Sequence, residues 1–146
     1  MDHIPFFNLN LAGLGVELTM LGLAAALGVV QVVLVIVSSG LAGRTPWAIG
    51  ARDAAGPPFG KIGARLERAL KNFTETFPMF AAAILIATVM NRHGNGTLWG
   101  SQLYFWARVL YVPLYAFGVP VLRTIVWTIG SAGIVMALLT VFGVMG

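Results

Sequence analysis

Between Glu17 and Arg44 the sequence carries no charged residue, and Leu, Ala, Val, Ile and Gly dominate the run. Read as a helix from about residue 11 to about residue 40, it spans roughly 45 Å at about 1.5 Å per residue, against a hydrocarbon core of about 30 Å. Such a helix crosses the bilayer tilted, or protrudes from it, and Glu17 falls near one end. The Val/Ile/Leu-rich stretch 29–37 would suit a buried strand in a soluble protein. An open strand facing lipid leaves its backbone groups unpaired, so the helix is the viable form. Charged residues make up 10% of the chain, far below the roughly 25% of soluble domains, and the mean hydropathy is +0.87. The expectation is an all-α integral membrane protein, a four-transmembrane-helix bundle forming a single domain over residues 1–146.

Three further spans complete it, at about 62–90, 98–117 and 121–144. The connecting segment 41–61 contains Thr45-Pro46-Trp47, Gly50 and Gly56-Pro57-Pro58, which read as helix breakers. Trp47 reads as an interfacial anchor. Arg44, Arg52, Lys61, Arg65, Arg68 and Lys71 lie in or next to this segment, so it should face the cytoplasm and both termini the outside, as in a bacterial inner-membrane protein. Pro78 and Pro113 fall inside spans two and three and predict kinks. The net charge of +4 is concentrated at this one end and signals topology rather than nucleic-acid binding, and no nucleic-acid-reading motif is present. Cysteine is absent, which excludes disulfides and a protein-borne thiol nucleophile. His3 and His93 have no partner at ligand spacing, so no metal is expected. The apolar run near the N-terminus is too long for a signal peptide and should be retained as the first span.

The chemistry concentrates in Arg65-Leu-Glu-Arg-Ala-Leu-Lys-Asn-Phe-Thr-Glu-Thr-Phe-Pro-Met-Phe80, which with Lys61 holds six of the fourteen charged residues. At about 100° per residue, Arg65, Arg68, Asn72 and Glu75 lie within roughly 80° of one another on one helical face. Span three carries Arg108 at a depth similar to Glu75, on a face shared with Tyr104, Tyr111 and Tyr115. An ionisable group at that depth needs a partner or water, and a Glu75–Arg108 contact, within one chain or between chains, is the simplest solution. Span four begins with Arg123 and Thr124, with Trp127 one turn on. Together these residues predict a funnel with a cationic mouth (Arg65, Arg68, Lys71, Arg123), an Asn–Glu–Arg floor and a tyrosine wall. Arginines clamp carboxylates in a bidentate fork and Glu75 could receive an ammonium, so a zwitterionic peptide suits the cleft. Plainer readings stay open: Arg65, Arg68, Lys71 and Arg123 as topogenic charges that snorkel to lipid, Glu75 and Arg108 as a structural ion pair, the tyrosines as packing, and Glu17 as an interfacial hydrogen-bonding group.

These residues resemble the MAPEG superfamily of membrane-associated proteins in eicosanoid and glutathione metabolism, and the chain looks like a bacterial-type, microsomal glutathione transferase-like member. The family's second helix reads roughly Glu-Arg-x-x-Arg-Ala-x-x-Asn-x-x-Glu-x-x-Pro. Here Arg65, Arg68, Lys71, Asn72, Glu75 and Pro78 stand in that pattern, followed by Arg108 to Tyr111 and Tyr115 in span three and by Arg123-Thr124 with Trp127 in span four. The resemblance implies a homotrimer with glutathione, as co-substrate, in clefts between subunits. It implies that Arg123 stabilises the glutathione thiolate, that Arg68 and Lys71 clamp carboxylates, that Glu75 holds the amino end, and that Asn72, Tyr111, Tyr115 and Thr124 line the site. Several members carry an arginine late in the first span, and some synthases a histidine in the third. Here Val29 to Leu41 has no arginine and Tyr111 replaces the histidine, so eicosanoid synthesis is not expected. The implied activity is a glutathione-dependent transferase or peroxidase acting on a lipophilic electrophile or hydroperoxide that enters from the bilayer, among membrane lipids. The alternatives are a non-catalytic lipid-binding or scaffold protein of the same fold, and a small proton-coupled drug exporter, which would need a carboxylate midway through span one where Glu17 is not.

Overall fold

The structure, a computed structural model, describes residues 15–146. Residues 1–14, including His3 and the expected start of span one, lie outside that range. Four long helices and one short one follow in order: α1 (Val16–Leu41), α2 (Thr45–Ile49), α3 (Lys61–Val89), α4 (Asn95–Phe117) and α5 (Pro120–Val141). α1, α3 and α5 are each long and apolar enough to cross a membrane. α4 has the length, 23 residues, but its polar residues keep it out of that set. Ser101, Gln102, Tyr104 and Arg108 are turned inward and buried, so its average hydropathy understates how apolar its outer face is. The protein is a multi-pass integral membrane protein. The exposed Val29 and Ile36 of α1, 64% and 63% accessible, would be a liability in water and are what lipid-facing positions require.

α4 and α5 form the tightest pair, and α3 packs on α1, α4 and α5. Glycine explains the closeness of the α4–α5 contact: a Cβ on Gly100 would stand 2.5 Å from the Gly133 carbonyl oxygen, and one on Gly133 would stand 2.6 Å from the Gly100 oxygen. Lipid tails are as apolar as leucine, so helices in a bilayer associate through such close backbone packing rather than through a hydrophobic driving force. The main core joins Met20 and Ala24 of α1, Phe80 and Ile84 of α3, Tyr104 of α4 and Ile134 of α5. A smaller cluster of Ala69, Ala107, Tyr111 and Val126 lies toward the loop end.

Both helices with a proline in their interior run unbroken, α3 through Pro78 and α4 through Pro113. The loop is not helix-free as expected. Pro46 sits in the first turn of α2, where its missing N–H has no intrahelical partner to lose and its fixed φ suits a helix start. Trp47 does more than anchor: its Nε1 donates to the Ala54 carbonyl at 2.7 Å, and Gly56 packs so close that a Cβ there would meet the indole at 2.8 Å.

Two arginines close helix ends. Arg65 Nη1 donates to the Ala116 carbonyl in the last turn of α4 at 3.2 Å. Arg92 Nη1 donates to the Val141 carbonyl at the end of α5 at 2.6 Å. Each puts a cation on the negative end of a helix dipole and satisfies a carbonyl left over by the helix. At the opposite end from the loop, Glu17 accepts from Thr97 Oγ1 at 3.2 Å and meets His93 Nδ1 at 3.3 Å, tying the start of α1 to the start of α4. His93 therefore has a partner that spacing along the chain did not reveal.

Candidate functional site

Arg108 is the best-connected polar group in the bundle, and it is 2% exposed. Its Nη1 donates to Asn72 Oδ1 at 2.7 Å and its Nη2 to Thr76 Oγ1 at 2.8 Å. The guanidinium carbon lies 5.3 Å from the Tyr104 ring centroid and 5.2 Å from that of Tyr111. Thr76 Oγ1 also meets the Tyr104 hydroxyl at 3.2 Å, and Tyr104 stacks on Phe80 at 4.1 Å. The cation is thus held by an amide, a hydroxyl and two aromatic faces. The Glu75–Arg108 contact expected from depth does not form within the chain: Glu75 is on the exposed face of α3, and the only ion pair among the described residues is His93 with Glu17. Asn72 and Thr76 are one helical turn apart and present two acceptors side by side.

A cavity of about 210 Å³ opens beside this network, lined by Asn72, Tyr111, Tyr115, Arg123, Thr124 and Trp127. Arg108 takes the Asn72 carbonyl oxygen, which fixes the amide and leaves its NH₂ as the donor available to the cavity. Tyr111 and Tyr115 meet edge to face at 5.4 Å. Arg123 rests on the Tyr115 ring at 4.5 Å. Among the described residues it forms no ion pair, and its guanidinium lines the cavity with its hydrogen-bonding capacity free. Thr124 Oγ1 donates to the Pro120 carbonyl at 3.0 Å, so toward the cavity it can only accept.

Five of the residues expected from sequence, Asn72, Tyr111, Tyr115, Arg123 and Thr124, therefore line one cavity. Arg68 stands at its edge, 5.9 Å from the Tyr115 ring. Arg68, Lys71 and Glu75 are exposed on α3 and are not among the residues that line the cavity. Arg65 leaves the expected cationic mouth altogether, being committed to the end of α4. Thr76 was not foreseen, although its place one turn after Asn72 on the face that meets Arg108 is the signal that could have found it.

A model of the MAPEG family matches residues 20–143, nearly the whole chain. The chain belongs to the MAPEG family. No curated protein matches it. MAPEG proteins form membrane-embedded assemblies, and the family includes glutathione transferases and peroxidases as well as non-catalytic members. The match runs through the second-helix pattern from Arg65 to Pro78 and through every residue of the cavity wall.

Proposed function

We propose that this MAPEG protein is a glutathione-dependent transferase or peroxidase for lipophilic electrophiles or hydroperoxides that reach it from the bilayer. The observation that carries the reading is Arg123: a guanidinium without a carboxylate partner among the described residues, seated on Tyr115 and facing a cavity whose other polar wall is the oriented Asn72 amide. A cation beside a thiol favours the thiolate, which is the nucleophile. With glutathione bound, Arg123 would stabilise its thiolate, and the Asn72 NH₂ would fix its approach. In the transferase reaction the sulfur attacks an electrophilic carbon, forming an S–C bond as the leaving group departs. In the peroxidase reaction it attacks the hydroperoxide oxygen, the O–O bond breaks to release the alcohol and leave a sulfenic acid on the sulfur, and the thiol of a second glutathione displaces that hydroxyl as water to form the disulfide.

The partner surface supports a homotrimer with sites shared between subunits. Arg68, Lys71 and Glu75 are exposed on a helix that spans the membrane, and charges turned outward from a span are costly unless another protein surface covers them. The cavity of about 210 Å³ is also below the range of about 300–1,000 Å³ usual for small-molecule sites, which suits a site that a neighbouring subunit completes. In that assembly Arg68 and Lys71 would receive the carboxylates of glutathione and Glu75 its ammonium. The bundle then has four spans, with α4 as the fourth, its loop end in the cytoplasm and its termini outside. The placement of Glu17 in the first turn of α1, bonded to Thr97, speaks against a proton-coupled exporter.

The test is turnover of purified protein with glutathione and a generic electrophilic aromatic substrate, and separately with a lipid hydroperoxide. Turnover lost in Arg123→Ala supports the enzyme. Glutathione binding without turnover on either substrate would assign the protein to the non-catalytic members of the family. Drug efflux abolished by Glu17→Gln would displace the glutathione reading.

A further inference from the structure

A second built cavity lies at the loop end of the bundle, on the far side of α3 from the Arg123 cavity. It has a volume of about 380 Å³ and a mostly apolar lining that includes Val35 and Ile36 of α1, Ile49 of α2 and Phe59 of the loop. Arg44 enters it. This side chain is 9% exposed, with its guanidinium carbon 3.7 Å from the Phe59 ring centroid and 5.0 Å from that of Trp47. Its Nε is sealed from solvent without a hydrogen-bond acceptor. Among the described residues it has no ion-pair partner. Glu67 lines the same cavity but does not pair with it. The other loop arginine, Arg52, is already used: its Nε and Nη2 donate to the Ala48 carbonyl at 3.0 and 2.7 Å.

The ring faces offset part of the lost hydration of this cation but give its sealed Nε no acceptor, and no hydrogen bond to another described residue uses its Nη groups. An anion in the cavity would complete it, and arginine matches phosphate oxygens with its fork of donors. The apolar wall decides which anion. A free phosphate has no use for Val35, Ile36 and Ile49, whereas a phospholipid has acyl chains to lay against them, and the cavity sits at the end of α1, a helix long and apolar enough to cross a membrane. We propose that this cavity binds the phosphate headgroup of a membrane phospholipid, recognised by Arg44, with the upper acyl chain along Val35, Ile36 and Ile49. The loop is built to hold that arginine: Trp47 is pinned to Ala54 and packed on Gly56, and Phe59 covers the guanidinium.

The experiment is native mass spectrometry of the detergent-purified full-length protein, titrated in parallel with phosphatidylglycerol, phosphatidylethanolamine and inorganic phosphate. The wild type should retain a phospholipid adduct through detergent stripping and show none with inorganic phosphate. Arg44→Gln should lower lipid retention about tenfold, the loss expected for a charge-assisted hydrogen-bonded contact. Ile36→Trp fills the cavity from α1 and leaves Arg44 in place, and should lower retention even if Arg44→Gln disturbs the loop. Arg92→Gln, at the other end of the bundle, should bind as the wild type does. Equal retention by wild type, Arg44→Gln and Ile36→Trp would overturn the proposal. So would an equal loss in Arg92→Gln, or a phosphate adduct as persistent as the lipid one.

Discussion

Replacing Thr76 by valine removes one hydroxyl and keeps the shape of the side chain, and the structure says what that hydroxyl holds. It accepts from Arg108 Nη2 at 2.8 Å and meets the Tyr104 hydroxyl at 3.2 Å. A hydrogen bond to a charged group is worth about 1.5–3 kcal/mol, and a neutral one between membrane helices about 0.6 kcal/mol. Arg108 is too buried to recover the lost acceptor from water, and its Nε already lacks one. Thr76→Val should therefore destabilise the bundle by about 2–4 kcal/mol. Thr74→Val is the control: the same substitution two residues away, where the hydroxyl donates only to the Lys71 carbonyl of its own helix and is exposed. That change should fall within about 0.5 kcal/mol of wild type. Reversible unfolding in mixed micelles on titration with a denaturing detergent gives both values. If Thr76→Val is no more destabilising than Thr74→Val, Arg108 is not held through Thr76, and the account of the cavity floor fails.

Gly133→Leu should separate α4 from α5 and abolish the folded protein in the same titration, since even a Cβ at that position meets the Gly100 carbonyl. Arg65→Ala should lower stability by about 1 kcal/mol, as expected for loss of a cationic helix cap, and leave the KM for glutathione unchanged, whereas Arg68→Ala should raise it. Tyr115→Phe should retain activity because the ring face that carries Arg123 remains. Tyr115→Leu removes that face and should lower kcat/KM by about tenfold, which corresponds to a cation–π contact of roughly 1–2 kcal/mol. Glu75→Gln should weaken both glutathione binding, measured by calorimetry, and subunit assembly, measured by light scattering with detergent correction. No change in either would remove Glu75 from the site.

The long helices were legible because a bilayer admits few alternatives: a long uncharged run such as that from Glu17 to Arg44 must be a helix. Asn72 was legible as a residue of the cavity wall because it lies too deep to be a surface group, and Arg123 because it opens a span with no other charge after it. The partner of Arg108 was not. From Asn72, residue 75 lies about 60° one way around the helix and residue 76 about 40° the other, so both were in reach of a helical-wheel argument. Charge matching favoured Glu75, and the rotation of α3 against α4 favoured Thr76. The helix α2 was hidden because proline reads as a breaker unless its place in the first turn is known. The role of Arg65 depends on the Gly118 turn bringing the end of α4 alongside α3; Gly118 has φ +74° and no Cβ in the way of the Arg65 guanidinium, and nothing local to Arg65 announces that contact.

The role proposed for Arg123 is to make a thiolate of bound glutathione. Its most direct measurement is the ultraviolet absorbance of the thiolate when glutathione is mixed with purified protein at neutral pH, with binding followed separately by calorimetry. The wild type should show a thiolate signal that saturates with glutathione, and Arg123→Ala should bind glutathione yet show none, with partial recovery in Arg123→Lys. A wild-type protein that binds glutathione without forming thiolate, or an Arg123→Ala signal equal to that of the wild type, would contradict the account.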